Sequence, residues 1–400
     1  MNEFKLTNIG NLITYNSDSD QMVSTRDIDI IISEQNIVEI GNSLPNTKEV
    51  FNCKNRLVTP GFVDCHTHPI FFNSRENEFQ LRSKGLTYEE IAEQGGGINS
   101  SVIGVRNASK NKLIKKIIPR MDNFLKFGTT TIEAKSGYGL ELDSEIKSLK
   151  VIHELNTIHD IDIVATFMGA HSIPDEFKKN PESYVDLICD IIIPEVAKQN
   201  LAVFNDVFCE DGYFSISQAA RILNKGKEYG LYPRIHADEF KNIGATSLAI
   251  EMNAVSADHL MNISEEEIKK MSNSDTSAVI LPGTTFCLGK NFYAPYLKMK
   301  NAGIEIAIAT DYNPGSCNIQ SMPFIILLSL IYMKMDIIDA IYSSTYVPAK
   351  ILKIDKTCGS IEIGKNADLI IWDVKNPIEI AYNSNFNPIM SVIKSGKIIF

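Results

Sequence analysis

The stretch Pro60-Gly61-Phe62-Val63-Asp64-Cys65-His66-Thr67-His68 predicts the carboxyl end of a buried strand, which Pro69 terminates. Successive side chains of a strand point to opposite faces, so the imidazoles of His66 and His68 lie on the same face. A parallel barrel builds its active site at the carboxyl ends of its strands. Because neutral histidine is the commonest metal ligand, the pair indicates part of a metal site. Cys65 faces the other way and is predicted to be a core residue.

Four more residues that suit metal binding or water activation stand at the ends of strand-like apolar runs. The runs begin at residues 161, 232, 254 and 303, and they lead to His171, His236, His259 and Asp311. Of the seven histidines in the chain, only His153 and His159 fall elsewhere, in a helix-like stretch and the turn after it. The sequence therefore predicts that most of its histidines meet at one end of a barrel.

Composition narrows the possible classes of protein. A chain of 400 residues that is 44% hydrophobic can form one large barrel with an appendage or two ordinary domains. The balance of 39 basic and 49 acidic residues, a net charge of -10, argues against a nucleic-acid partner. The longest apolar run, Pro323 to Met333, is too short to span a membrane and predicts a core helix.

Targeting and redox state are the next inferences from the sequence. No apolar segment follows a basic amino-terminal start, so we expect no signal peptide. The chain has seven cysteines without paired spacing, which predicts reduced thiols and a cytoplasmic protein. A homodimer is expected because twofold pairs are the commonest assembly.

The two ends of the chain show short alternating strands with turn residues between them. Examples near the amino terminus are Ile28–Ser33 and Ile37–Ile40. The last forty residues predict strands at Gly359–Gly364 and Ala367–Trp372, then a hairpin around Ser395 and Gly396. Since neither end carries enough strands for a stable domain, we expect residues 1–58 and 359–400 to pair into one small β-sandwich.

Between the two ends, helix and strand signals alternate. Ile114, Ile117, Ile118, Met121 and Leu125 form a helical stripe, and the strand Thr129–Ala134 follows Gly128. Such units repeat over roughly 300 residues, which predicts an α/β fold with a distorted (β/α)8 TIM barrel at 59–358. A doubly wound open sheet is the alternative.

The candidate residues suggest a hydrolytic chemistry. Three histidines and one aspartate leave a coordination position for water, as catalytic zinc sites do, and a divalent metal lowers the pKa of that water to about 7. Asp311 can accept the proton of this water, and His259 can orient or deprotonate it. Glu239, three residues after His236, is predicted to overhang the site and to pass the proton to a leaving nitrogen.

Several segments resemble the signature segments of the imidazolonepropionase family, within the amidohydrolase superfamily. These segments are Pro60–His68, Ser74–Phe79, Gly95–Ile98, Glu133–Leu140, His236–Glu239, Leu281–Phe286 and Ala309–Ser316. The likeness runs from about Leu57 to Trp372, and the later segment Gly359–Asp368 is typical of the superfamily. Arg75, Tyr138 and the segment Asp311–Ser316 point to this family in particular, whereas Cys65 stands where its pattern has proline.

The resemblance implies hydrolysis of the ring amide of 4-imidazolone-5-propanoate to N-formimidoyl-L-glutamate, in histidine degradation. It assigns the metal to His66, His68, His236 and Asp311. It assigns substrate contacts to Arg75, Tyr138, His171, Glu239, Asn313, Gly315 and Ser316. Arg75 suits the carboxylate tail because guanidinium binds a carboxylate in a bidentate way. One divalent metal per subunit is implied, zinc first and iron as the alternative, since this ligand set suits both.

Other functions share part of this pattern. A deaminase of a purine or pyrimidine ring would use the same histidine pair and late aspartate, but it has no need of Arg75. Binuclear relatives need a bridging lysine, for which Lys135 is the candidate, on an earlier strand than expected. A barrel that binds metal without catalysis is the third alternative. Gly95–Gly97 lacks the spacing of a phosphate-binding loop and predicts a tight turn, with a substrate-side loop as the alternative.

Overall fold

The strands of the chain form two sheets, one mixed and one parallel. The computed structural model describes residues 3–86, 90 and 96–400. Within these residues the strands are, in chain order, β1 (Glu3–Asn16), β2 (Gln21–Thr25), β3 (Ile28–Ser33), β4 (Asn36–Gly41), β5 (Glu49–Pro60), β6 (Phe62–Asp64), β7 (Thr129–Lys135), β8 (Asp162–Ala170), β9 (Phe204–Cys209), β10 (Tyr232–Ala237), β11 (Ser256–His259), β12 (Ser277–Ile280), β13 (Ile306–Ile308), β14 (Leu369–Trp372), β15 (Ile389–Lys394) and β16 (Lys397–Ile398).

Helices lie mainly between the strands of the parallel sheet. In the described part of the chain they are α1 (Glu76–Ser83), α2 (Ile98–Asn107), α3 (Lys110–Lys126), α4 (Leu142–Ile158), α5 (Pro181–Leu187), α6 (Ile193–Lys198), α7 (Ile216–Glu228), α8 (Ala245–Glu251), α9 (Glu265–Met271), α10 (Pro282–Cys287), α11 (Tyr296–Asn301), α12 (Met322–Met333), α13 (Ile337–Ser344), α14 (Tyr346–Ile351) and α15 (Glu379–Tyr382). A 3₁₀ turn (Asp175–Phe177) and a π-helical turn (Ile188–Ile192) complete the set. None of these described helices is both long enough and apolar enough to cross a membrane.

The parallel sheet is an eight-stranded barrel within the described residues. Strands β6 to β13 are neighbours in chain order, without the reversal of order that marks a doubly wound sheet. Backbone hydrogen bonds close the circle: Asp311 N donates to the His66 carbonyl at 3.0 Å, and His68 N donates to the Tyr312 carbonyl at 2.8 Å. The predicted (β/α)8 fold is confirmed, and the open-sheet alternative is not.

The mixed sheet joins both ends of the chain, as the sequence predicts. Its order is β16-β15-β14-β5-β1-β3-β4, with β2 paired to β1, and the two ends meet where β14 runs antiparallel to β5. Apolar side chains from both ends, among them Leu6, Ile30, Leu369 and Ile393, share one buried cluster. Pro60 ends β5 and Phe62 begins β6, so the mixed sheet leads directly into the barrel.

One predicted strand is wrong. Residues 359–364 form bends and a turn instead of extending along a sheet. Their polar groups bind neighbouring segments: Ile361 N donates to Thr14 Oγ1 at 2.8 Å, and Gly364 N donates to the Ile37 carbonyl at 2.8 Å. The segment is therefore a loop that is hydrogen-bonded to β1 and β4.

The fold bears on three other predictions for local structure. The strand before the histidine pair ends at Asp64, earlier than the quoted stretch suggests, because the backbone of His66 and His68 then bonds to the residues after β13. The helical stripe is confirmed as α3, whose N-cap Ser109 accepts a hydrogen bond from Lys112 N. The apolar run after residue 322 is confirmed as the helix α12.

Candidate metal centre and active site

Four predicted ligands converge at the carboxyl end of the barrel. The Nε2 atoms of His66 and His68 are 3.2 Å apart, and His68 Nε2 lies 3.4 Å from His236 Nε2. Asp311 Oδ1 lies 3.5 Å from the Nε2 atoms of both His66 and His68. Two atoms that each lie about 2.0–2.2 Å from one ion are at most about 4.4 Å apart. The spacing and the donor set therefore fit one divalent metal ion.

Burial prepares these side chains to act as ligands. All four are almost fully shielded from water. Burial lowers the pKa of His66 and His68 well below the ordinary value, and nearby positive groups lower it further. Both imidazoles are therefore neutral and offer lone pairs at neutral pH. Burial also raises the pKa of Asp311 to about 6, which leaves this carboxyl ionised at neutral pH.

Carboxylates behind the histidines fix the orientation of two rings. His66 Nδ1 lies 2.6 Å from Asp258 Oδ2, and His236 Nδ1 lies 3.0 Å from Asp206 Oδ1. A carboxylate on the far ring nitrogen holds the proton there and leaves Nε2 free for a metal. The Thr284 hydroxyl likewise donates to Asp311 Oδ2, so that Oδ1 faces the histidines.

The backbone is strained at two of the predicted site residues. His259 has a φ of 80° and Asp311 a φ of 51°, in the left-handed region that non-glycine residues rarely adopt. Such strain persists where surrounding structure holds it, and it is common at active sites. Here it turns both side chains toward the centre of the barrel end.

Glu239 and His259 form a second pair beside the four donors. Glu239 Oε2 lies 3.6 Å from His259 Nε2, and both residues are buried. Burial, and then the negative charge of Asp311, raise the pKa of Glu239 to about 8. Burial lowers the pKa of His259 well below the ordinary value. At neutral pH the arrangement pairs a protonated carboxyl group with a neutral imidazole.

A cavity of about 730 Å³ opens above the four donors, and we call it the reaction pocket. All predicted site residues except His66 line it: His68, Arg75, Tyr138, His171, His236, Glu239, His259, Asp311, Asn313, Gly315 and Ser316. His66 lies beneath, fully buried. The Tyr138 and His171 rings are 5.2 Å apart, and His171 Nδ1 lies 3.0 Å from the Gly137 carbonyl. The structure thus brings the whole predicted set together.

Arg75 already has a carboxylate partner within the protein. Its guanidinium donates to Glu78 Oε2 at 2.6 Å, and Glu78 Oε1 accepts from Gly97 N at 3.0 Å. A Cβ on Gly315 would lie 2.4 Å from Arg75 Nη1, so only glycine lets the loop approach the guanidinium so closely. The Asn313 side chain shapes this loop, because its Oδ1 accepts from Gly315 N at 2.8 Å and from Ser316 N at 2.7 Å.

Comparisons with known proteins identify the family of the chain. The model of the amidohydrolase family matches residues 57–399. A protein of Alkaliphilus oremlandii named imidazolonepropionase is 44% identical over 88% of this chain and 83% of its own length. One of Fusobacterium nucleatum with the same name is 40% identical over 99% of this chain and 98% of its own length.

The chain belongs to the imidazolonepropionase family of amidohydrolases. Solved structures with lower identity share its fold. A triazine hydrolase variant has a TM-score of 0.75 at 14% identity and covers 99% of this chain and 94% of its own. Guanine deaminase from C. acetobutylicum has a TM-score of 0.71 at 18% identity, with both chains fully covered.

Sequence reasoning missed the charged layer under the site of this amidohydrolase. Lys135 Nζ donates to Glu133 Oε1 at 2.7 Å and to Asp206 Oδ2 at 2.8 Å, and Arg234 donates to Asp258 Oδ2 at 2.8 Å. These five side chains are fully buried. Charged residues within strands that are otherwise apolar were the available signal, since such residues are almost never buried unless paired.

Three further predictions concern Lys135, the glycine segment and Cys65. Lys135 lies in the barrel but is held by Glu133 and Asp206, below the four donors. For the glycine segment, Gly97 has a φ of 76° and directly precedes α2, as a tight turn requires. Gly95 lies outside the described residues, so this part of the turn prediction stays a prediction. Cys65 packs among apolar residues and is confirmed as a core residue.

Proposed function

We propose that this chain hydrolyses the ring amide of 4-imidazolone-5-propanoate to N-formimidoyl-L-glutamate, in histidine degradation. The observation that carries the proposal is a buried set of three histidines and one aspartate at the floor of a pocket that also contains an arginine. Relatives named imidazolonepropionase, 40–44% identical over most of the chain, support the same reaction.

We propose one divalent metal per subunit, held by His66, His68, His236 and Asp311. Zinc is the first choice and iron the alternative, because imidazole and carboxylate suit both. When bound, such an ion polarises a carbonyl group and makes a water molecule acidic enough to react at neutral pH. Elemental analysis of protein purified without added metal distinguishes the two.

We propose that the substrate tail binds at the side of the reaction pocket where Arg75 lies. The propanoate tail is a carboxylate, and a guanidinium that lines the reaction pocket suits a carboxylate because it can bind it in a bidentate way. Ser316 and the backbone of Gly315 adjoin Arg75 and can bond to the tail or to the new carboxylate of the product. Tyr138 and His171 line the pocket close to His68, where they can bond to the ring.

Proton transfer is proposed for Asp311, His259 and Glu239. Water adds to the ring carbonyl carbon and loses a proton, which Asp311 or the neutral His259 can accept. The carbon–nitrogen bond of the ring then breaks, and its nitrogen gains a proton. Glu239 is suited to donate it, because a carboxyl group with a pKa of about 8 holds its proton at neutral pH. His259, 3.6 Å away, can return a proton to Glu239.

The test is an assay of purified, metal-containing protein on imidazolonepropanoate and on a panel of purines and pyrimidines. We expect N-formimidoyl-L-glutamate from the first substrate without release of ammonia. Ammonia release from a panel member, with no turnover of imidazolonepropanoate, would overturn the proposal in favour of a deaminase. A protein with full metal content and no turnover of any compound would indicate a barrel without catalysis.

The remaining proposals concern the whole protein. We propose a β-sandwich from residues 1–58 and 359–400 around a catalytic barrel at 59–358. We also propose a homodimer that acts in the cytoplasm on a small molecule with a carboxylate, without nucleic acid or membrane as a partner. The seven cysteines, which form no disulfide, support a reducing compartment.

A further inference from the structure

A second cavity, of about 460 Å³, lies beside the reaction pocket, and we call it the basic cavity. The two cavities share a wall made of Arg75, Arg82, Asn313, Gly315 and Ser316. The outer side of the basic cavity is formed by α3, through Lys115, Lys116, Pro119 and Arg120. It is therefore separated from the proposed substrate tail only by the arginine and the loop that are proposed to bind that tail.

The charge of the basic cavity is opposite to that of the chain. Five cations line it: Arg75, Arg82, Lys115, Lys116 and Arg120. Among the described residues, Glu76 is the only acid in its lining. The whole chain has a net charge of -10, which repels an anionic substrate at long range. A concave surface of one sign focuses the electrostatic field and raises the local concentration of ions of the opposite sign.

The cations of the basic cavity differ in the contacts that they make within the protein. Arg120 donates to the carbonyls of Pro69 and Phe71 at 2.7 and 2.6 Å, so it holds the fold together. Arg75 pairs with Glu78. Lys115 and Lys116 are exposed, and neither takes part in an ion pair within the described part of the chain. The charge of Lys116 does act on Glu76, whose pKa is lowered first by a hydrogen bond with Ser74 and to a smaller extent by this lysine. Their charges are therefore available to a ligand.

We infer that the basic cavity binds the carboxylate of incoming substrate and delivers it to Arg75. This inference rests on the proposed function, since it needs an anionic substrate. A carboxylate in the basic cavity adds a negative partner near Lys115 and Lys116, which form no ion pair within the described residues. The shared wall places it next to the side chain that is proposed to hold the tail during reaction.

The first test compares two double variants of the same helix. Lys115→Gln with Lys116→Gln removes two charges from the basic cavity, and Lys112→Gln with Lys126→Gln removes two exposed charges of α3 outside it. At low ionic strength we expect the first variant to lower kcat/KM for imidazolonepropanoate about threefold, with kcat unchanged. The difference should disappear at about 0.5 M salt, where charges are screened. The second variant should behave as wild type.

The outcomes separate this inference from the proposed function. If wild type does not turn over imidazolonepropanoate, the proposed function fails. If wild type is active and both double variants lose the same activity, or neither does, the basic cavity takes no part and the inference is overturned. The methyl ester of the substrate, which lacks the charge, should show no difference between the variants.

The second test detects binding without turnover. An amine-reactive reagent is applied to the metal-containing protein, and the modification of each lysine is measured by mass spectrometry. We expect L-glutamate, a dicarboxylate, to protect Lys115 and Lys116 but not Lys112, compared with chloride at equal ionic strength. Protection by inorganic phosphate and not by glutamate would overturn the inference, since the cavity would then select phosphate. Equal modification under all conditions would overturn it as well.

Discussion

A single imidazole decides whether the proposed metal is held. His68 lies within 3.5 Å of three other donors and lines the reaction pocket. We expect His68→Ala to lower kcat at least about 10³-fold, because losing a ligand removes carbonyl polarisation and water activation, which together contribute several kcal/mol. Turnover of imidazolonepropanoate and metal content per subunit are the two measurements.

His153→Ala is the matched control for this prediction. His153 is exposed on α4, away from the barrel end, so its loss should change neither metal content nor kcat. Normal turnover and a full complement of metal in the His68 variant would contradict the assigned ligand set.

A variant of Arg75 tests the identity of the substrate rather than the metal site. We expect Arg75→Met to lower kcat/KM for imidazolonepropanoate by about two to three powers of ten, the loss of a charge-assisted contact of roughly 3–4 kcal/mol. An imidazolone without the propanoate should be a poor substrate for wild type and should lose almost nothing further in the variant. The measurement is kcat/KM on both compounds.

Because Arg75 forms an ion pair with Glu78, a second variant is needed as a control. Arg75→Met leaves the Glu78 carboxylate buried without its cation, which can disturb the loop through Gly97 N. The double change Arg75→Met with Glu78→Gln removes both charges, and it should show the same selective loss on the substrate with a tail. Equal losses on both compounds in both variants would mean that Arg75 supports the architecture of the pocket.

At the scale of elements, several strands of the barrel contain charged residues that become buried in the folded protein. Glu133 and Lys135 on β7, Asp206 on β9 and Asp258 on β11 are fully buried. These strands mix apolar and polar residues, and only the closed barrel brings the charges of different strands together. Sequence reasoning could predict the ends of these strands and the ligands that follow them. It could not predict the charged layer beneath them, because the closure of the barrel determines which distant strands become neighbours.

Lys135 tests this charged layer. We expect Lys135→Met to destabilise the protein by about 3–5 kcal/mol, because buried Asp206 and Glu133 would lose the lysine ion pair and Glu133 would retain its longer contact with Arg234, at 3.4 Å. The midpoint of urea unfolding, followed by circular dichroism, is the measurement. Lys150→Met on α4 is the control, since that lysine is exposed and should shift the midpoint little. A Lys135 variant as stable as the control would contradict the structural role of the network.

At the scale of the whole molecule, strands from both termini pair in one mixed sheet that leads into the barrel. The sequence predicts this pairing because each end has too few strands to be stable by itself. The alternation of Ile361 and Ile363 with polar residues predicts a strand at residues 359–364, but Glu362 instead bonds to Ser17 at the other end of the chain. The predicted boundaries at 58 and 359 stay a prediction.

Glu362 in this segment connects the two ends of the chain. It accepts hydrogen bonds from Ser17 N at 2.8 Å and from Ser17 Oγ at 3.0 Å, and its other partners are Ser360 and Lys365. Partial burial opposes its ionisation, but the hydrogen bonds from Lys365, Ser360 and Ser17 outweigh burial and lower the pKa to about 2. Ionised Glu362 therefore stabilises the folded chain relative to the unfolded chain.

Glu362→Gln should therefore lower stability in a manner that depends on pH. A carboxyl whose pKa falls on folding stabilises the protein fully above its unfolded pKa of about 4.5, and this contribution disappears as pH falls from there toward about 2. Because the carboxylate is still partly exposed, water screens the interaction, and we expect a loss of roughly 1–2 kcal/mol at pH 7. Unfolding midpoints at pH 7, 4 and 3 measure the gap between variant and wild type, which should shrink at the lower values. Glu39→Gln, an exposed acid on β4, should show little gap at any pH. A gap for Glu362→Gln that is absent at pH 7, or unchanged down to pH 3, would mean that this carboxylate does not connect the two ends of the chain.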